Sequence, residues 1–161
     1  MNLQQLKELE DLKEKVSERE GYSSSLYEKN VLPLLEKYKN DFAEKVAAYF
    51  EKSGFEVEKI GQNSTITAKY KELTFSVEKS LHLISIQEGF DMRANIHIRN
   101  RGYAGGTMSI PDDEFLAAKA RIQHQLNGIE KNIECYSNPE VYYEYNGRRY
   151  GDAEELINKI F

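Results

Sequence analysis

Residues 55–99 constrain this chain more than any other stretch, because apolar and polar side chains alternate there over run after run, with little sequence between the runs. Successive side chains of an extended strand point to opposite faces, so a period of two builds a sheet with one apolar face. Phe55, Val57 and Lys59 alternate with Glu56, Glu58 and Ile60; Ile66, Ala68 and Tyr70 alternate with Thr65, Thr67 and Lys69; Leu73, Phe75 and Val77 alternate with Thr74, Ser76 and Glu78. Gly61-Gln62-Asn63 has the composition of a turn, and Lys71-Glu72 leaves room only for a tight one. The run over 81–87 is apolar in both phases, Leu81 and Leu83 as well as His82, Ile84 and Ile86, which predicts a central strand covered on both faces. After a loop over 88–93, Ile96 and Ile98 alternate with Asn95, His97 and Arg99. A parallel return needs a crossover of a dozen residues or more, so these connections predict an antiparallel meander of four to five strands over 55–100.

Helical sequence flanks the meander. Leu3, Leu6, Leu9, Leu12 and Val16 recur every three or four residues among Lys and Glu, an amphipathic helix over 1–20 that packs on the body or pairs with another chain. The small-residue run 21–25 reads as a break, after which Ser25 and Glu28 have capping-box spacing and begin a helical region over 25–53. Pro33 fits a first turn or a kink, and Gly54 a C-terminal cap. Beyond the meander, Phe115, Ala118, Ile122, Leu126, Ile129, Ile133 and Tyr136 form a narrow stripe over 111–136. That helix is expected to lie beside the 33–53 helix on one face of the sheet, with dimerisation through the same stripe as the competing use. Over 140–161, Asn146-Gly147 between two aromatic runs predicts a two-residue hairpin, and Asp152 caps a short final helix. The fold class is α+β: one domain with an antiparallel meander, long amphipathic helices, and a C-terminal hairpin and helix.

Composition narrows the function classes. The 40% apolar and 30% charged residues in 161 suit a globular chain with its own core. A single cysteine, Cys135, leaves no internal disulfide framework and fits a reducing, cytoplasmic setting; no apolar run reaches the length of a membrane span. The net charge of −5 argues against general phosphate-backbone binding. It is unevenly spread, however, with seven basic and six acidic groups over 55–111, so a local basic site is compatible with it.

Candidate binding residues cluster in two places. Between Asp91 and Asp112 there is no acidic residue, while Arg93, His97, Arg99 and Arg101 precede or enter a glycine-rich loop carrying Tyr103. Guanidinium groups and exposed amides suit carboxylate or phosphate, and a tyrosine suits a base or a protein anchor. The hairpin adds Tyr143, Tyr145, Arg148 and Arg149, residue types enriched at interfaces. The loop also reads simply as a connection whose arginines pair with acidic helices. Its glycines match neither a dinucleotide fingerprint nor a phosphate loop. His82, His97 and His124 lack metal-site spacing, and Cys135 has no adjacent base; no catalytic residue, metal or cofactor is expected. The expectation is a non-enzymatic cytoplasmic module, a small regulator or inhibitor that binds another protein. The alternatives are nucleic-acid or nucleotide binding through the basic loop, and a self-associating structural protein, a homodimer through residues 3–16 or 115–136.

Overall fold

The alternating runs become strands, and the C-terminal hairpin joins them in one sheet. In the computed structural model, which describes residues 1–61 and 65–161, seven strands lie side by side in chain order, each antiparallel to its neighbours. They are β1 (Glu56–Ile60), β2 (Thr65–Tyr70), β3 (Leu73–Lys79), β4 (Leu83–Glu88), β5 (Asp91–Asn100), β6 (Val141–Tyr145) and β7 (Arg148–Tyr150). The strand count exceeds the expected four to five because the hairpin extends the meander: Ile98 opposes Tyr143 and Asn100 opposes Val141. Asn146 and Gly147 both have positive φ, as a type I′ turn requires. The expected turn at Gln62-Asn63 lies outside the described residues.

The chain divides into two units, Leu32–Asn100 with Glu140–Phe161, and Met1–Val31 with Arg101–Pro139. In the first, α2 (Leu32–Lys52) and α4 (Ala153–Ile160) cover one face of the sheet. Phe42, Val46 and Phe50 of α2 meet Ile66, Val77, Ile86 and Ile96, all almost fully buried. Aromatic rings close one end of this core, with the Phe50 ring 5.4, 5.2 and 5.3 Å from those of Phe55, Phe75 and Phe161. The fourth strand departs from expectation. Ile84 and Ile86 are buried, but Leu83, Ser85 and Gln87 are half-buried, so helices seal one face only.

The second unit is a pair of helices, α1 (Leu3–Leu26) and α3 (Glu114–Ser137), with a π-helical turn, Tyr27–Val31, continuing α1. The predicted break at 21–25 is absent. Helix runs through Gly21, and Ser25, read as an N-cap, instead donates its hydroxyl to the Gly21 carbonyl at 3.1 Å. Packing overrides local preference here, because Leu9, Leu12, Val16, Arg19, Ser23 and Leu26 keep alternating three- and four-residue steps that form a coiled-coil seam. Val16 packs with Leu126, Ile129 and Ile133, flanked by Leu26 and Ile122. The stripe on α3 therefore belongs to a pairing with α1, and not with the 33–53 helix as expected. Lys119 binds Glu8 at 2.5 Å and Arg19 grips both oxygens of Glu130 at 2.5 and 2.9 Å, so the two helices run parallel. The π turn has a cause in Pro33: without an N–H, and with a ring that crowds the preceding turn, proline cannot continue regular α hydrogen bonding.

Parallel helices impose a long return. The Glu140 N–H donates to Asn100 Oδ1 at 2.9 Å, so the chain leaves β5 beside the point where it re-enters β6 after α3. The 24 residues of α3 extend roughly 36 Å, and residues 101–113 must bridge that length. At ~3.3–3.6 Å per residue thirteen residues reach at most about 43–47 Å, so the strap has limited slack. It has no regular secondary structure and is exposed except at Met108.

Candidate functional site

The hairpin between β4 and β5 turns on Gly89 and Phe90. Gly89 has φ +60, the conformation a II′ turn needs at its first central position. Phe90 follows it and is fully exposed. The Gly89 N–H donates to the Thr74 carbonyl at 2.9 Å, carrying the β3–β4 ladder one step past Phe75 and Glu88; one further step brings Leu73 level with Phe90. Tyr70 opposes Leu73, and Met92 opposes Gln87 at the start of β5. Tyr70, Leu73, Phe90 and Met92 are apolar residues at one end of the sheet, each more than 40% exposed; Tyr70 and Leu73 share the phase of buried Ala68 and Phe75, and Met92, opposite Gln87, lies on the other face. Burying one such side chain against a partner contributes roughly 1.5–3 kcal/mol. The sequence carried a signal for Phe90: an aromatic at the second position of a two-residue turn, where polar residues or glycine predominate.

The sequence-derived residues spread over several environments. His97 and Arg99 project from the face opposite α2, alternating with buried Ile96 and Ile98. There Arg99 binds Glu144 at 3.0 Å, and the Arg149 guanidinium lies 4.5 Å from the Tyr142 ring centre. His97 opposes Glu144, which opposes Arg149, so these groups form one cross-strand row. Arg93 is turned elsewhere by a β-bulge: Ile86 opposes Ala94 and Gln87 opposes Met92, leaving Arg93 as the extra residue. It donates to the Ile160 carbonyl at the end of α4 at 3.1 Å, pairs with Glu88 at 3.2 Å and lies over the Phe161 ring, a structural clamp. Tyr143 is a core residue, 1% exposed, whose hydroxyl donates to the Tyr38 carbonyl at 2.6 Å. Burial pushes that phenol well above its usual range. Tyr145 is half-buried opposite exposed Arg148. Arg101 and Tyr103 belong to the helical unit's strap, so the five cationic and aromatic groups read as one loop are divided between the two units. Within the strap the Tyr103 hydroxyl would lie 2.8 Å from a Cβ on residue 106, a close approach that this exposed tyrosine can relieve by moving its ring.

In the helical unit, a shallow cavity of about 360 Å³ opens beside the π turn, lined by Ser23, Ser24, Tyr27, Glu28 and Tyr136. The Tyr27 and Tyr136 rings meet edge to face at 5.4 Å, and Asn30 donates to the Tyr136 carbonyl at 3.0 Å. Burial raises the Tyr136 phenol, with smaller contributions from Tyr27 and Cys135. Among the described residues no group of three or more His, Cys, Asp and Glu side chains could hold a metal ion, and no helix is long and apolar enough to cross a membrane.

Fold and site together define an α+β protein: a seven-stranded antiparallel meander backed by two helices, with an exposed apolar hairpin end, and a parallel helix pair. Compared with protein-family models, with curated proteins and with solved structures, the chain has no match in any of the three.

Proposed function

We propose that this chain is a cytoplasmic protein-binding module, of the regulator or inhibitor kind, and that its anchor is the Phe90 hairpin end. The observation that carries this reading is a fully exposed phenylalanine, held at the tip of a short turn, with exposed Leu73, Tyr70 and Met92 at the same end of the sheet. A turn anchored in a seven-stranded sheet has little freedom to lose on binding, so apolar area buried there converts efficiently into affinity. Aromatic anchors of this type, filling a pocket on the partner, dominate many interfaces. The nucleic-acid reading has less support, because Arg93 and Arg99 hold carboxylate or carbonyl oxygens of their own chain and Arg149 lies on Tyr142.

The test places a photo-crosslinking phenylalanine analogue at position 90 in cells, with the same analogue at exposed Glu51 as control. A discrete protein adduct at 90, absent at 51 and lost in the Leu73→Ser/Met92→Ser variant, is the expected result. Adducts equal at both positions, or only to nucleic acid, would reject the anchor. Phe90→Ser itself should change stability by no more than about 0.5 kcal/mol, since the ring touches little in the free protein.

A further inference from the structure

A second site lies in the helical unit, independent of the hairpin end. Ser23 keeps the seam spacing between Val16 and Leu26, is buried, and its small side chain lines the cavity together with two tyrosines. The π turn follows at once, as such turns often do at functional places. The cavity is lined by Ser23, Ser24, Tyr27, Glu28 and Tyr136, residues that between them carry one carboxylate, four hydroxyls and two aromatic rings.

We infer that this cavity binds an alkylammonium group, with the Glu28 carboxylate and the hydroxyl oxygens taking the charge and the tyrosine rings the alkyl part by cation–π and apolar contact. Other ligand classes fit less well. One carboxylate with no histidine or second acid beside it is a poor metal site, and an anion would face Glu28. A sugar needs a free flat ring to stack on, whereas edge-to-face contact between Tyr27 and Tyr136 occupies part of a ring face. The ammonium has two natural sources, a free amine or a lysine side chain, and both present the same chemistry to the site.

The experiment uses the full chain, isotope-labelled, and follows the backbone amides of Ser23, Ser24, Tyr27 and Glu28 by NMR. It is titrated separately with n-butylammonium, butyltrimethylammonium, an acetyl-lysyl-amide, n-butanol, butyrate and methyl glucoside. Saturable shifts confined to these amides with the ammonium compounds are expected, weakened roughly tenfold by Glu28→Gln, the size of one charge-assisted contact. Tighter binding of the lysyl compound than of n-butylammonium assigns a protein side chain; the reverse assigns a free amine. Ser23→Val should fill the layer and abolish the shifts while preserving helical circular dichroism. A variant that fails to fold is replaced by Ser23→Ala, which keeps the cavity and should keep the binding. No saturation with any ammonium, equal response to butanol, butyrate or the glucoside, or unchanged affinity in Glu28→Gln would overturn the site. None of these outcomes depends on whether Phe90 anchors a partner.

Discussion

The sheet unit and the helical unit bury their apolar residues in different ways. In the sheet unit a layer of helices meets a broad face, and aromatic contacts run from Phe55 through Phe50 and Phe75 to Phe161. In the helical unit one seam does the work, and two of its positions, Arg19 and Ser23, are polar. A seam residue has a partner on one side and water on the other, whereas a residue such as Ile86 is enclosed. The same kind of side chain therefore contributes unequal stability in the two places, and specificity in the helix pair rests more on charges such as Arg19 with Glu130.

The largest break in that comparison is Tyr143→Ala. It removes an enclosed ring together with its bond to Tyr38 and should cost about 3–5 kcal/mol, measured by urea unfolding followed by circular dichroism. Ile129→Ala in the seam should cost less, about 2 kcal/mol, and hydrogen exchange should localise the loss to α1 and α3. An equal cost for the two would erase the distinction. The smallest effects are those of pH, and they should separate the units in opposite directions. Tyr143, raised above its ordinary value of 10.0, contributes stability that is complete below that value and is lost as pH rises past it, so the sheet unit should loosen in alkali. Glu130, lowered from 4.5 chiefly by its bond to Arg19, contributes stability that is present above that value and is lost as pH falls below it. The helix pair should therefore fray first in acid. Amide exchange on the acid side and tyrosine absorbance on the alkaline side read the two; Tyr143→Phe should remove the alkaline limb, and Arg19→Gln the acid one. High salt should weaken the acid effect, since both partners are solvent-accessible.

Much of this was legible in the chain. Strand period, the Asn146-Gly147 turn and the stripe from Phe115 to Tyr136 are local patterns, and each became the expected element. What could not be read locally was pairing. Nothing near the stripe says that its partner is the first helix, and Gly21 through Ser25 look like a break until the seam they belong to is known. The site was less legible than the fold. Arg93 reads as a surface cation until a bulge between Ile86 and Gln87 turns it to the end of α4. For Tyr143 the information was present, because Val141, Tyr143 and Tyr145 share one phase of β6 and Tyr142 and Glu144 the other. Phe90 reads as part of a loop over 88–93, although an aromatic beside a turn glycine is a local anomaly.

The strap over 101–113, a return with limited slack, bears on how this molecule can vary over evolutionary time. One heptad inserted into α3 would add ~10 Å and ask residues 101–113 to reach about 46 Å, which uses up nearly all of the ~43–47 Å that thirteen extended residues can span. Such an insertion would be accommodated best alongside a compensating one in the strap, and would gain partners for its new residues only if α1 grew as well. Lineages carrying this architecture should accordingly show length changes that are correlated across three separated stretches of sequence, a signature that can be sought without knowing any ligand.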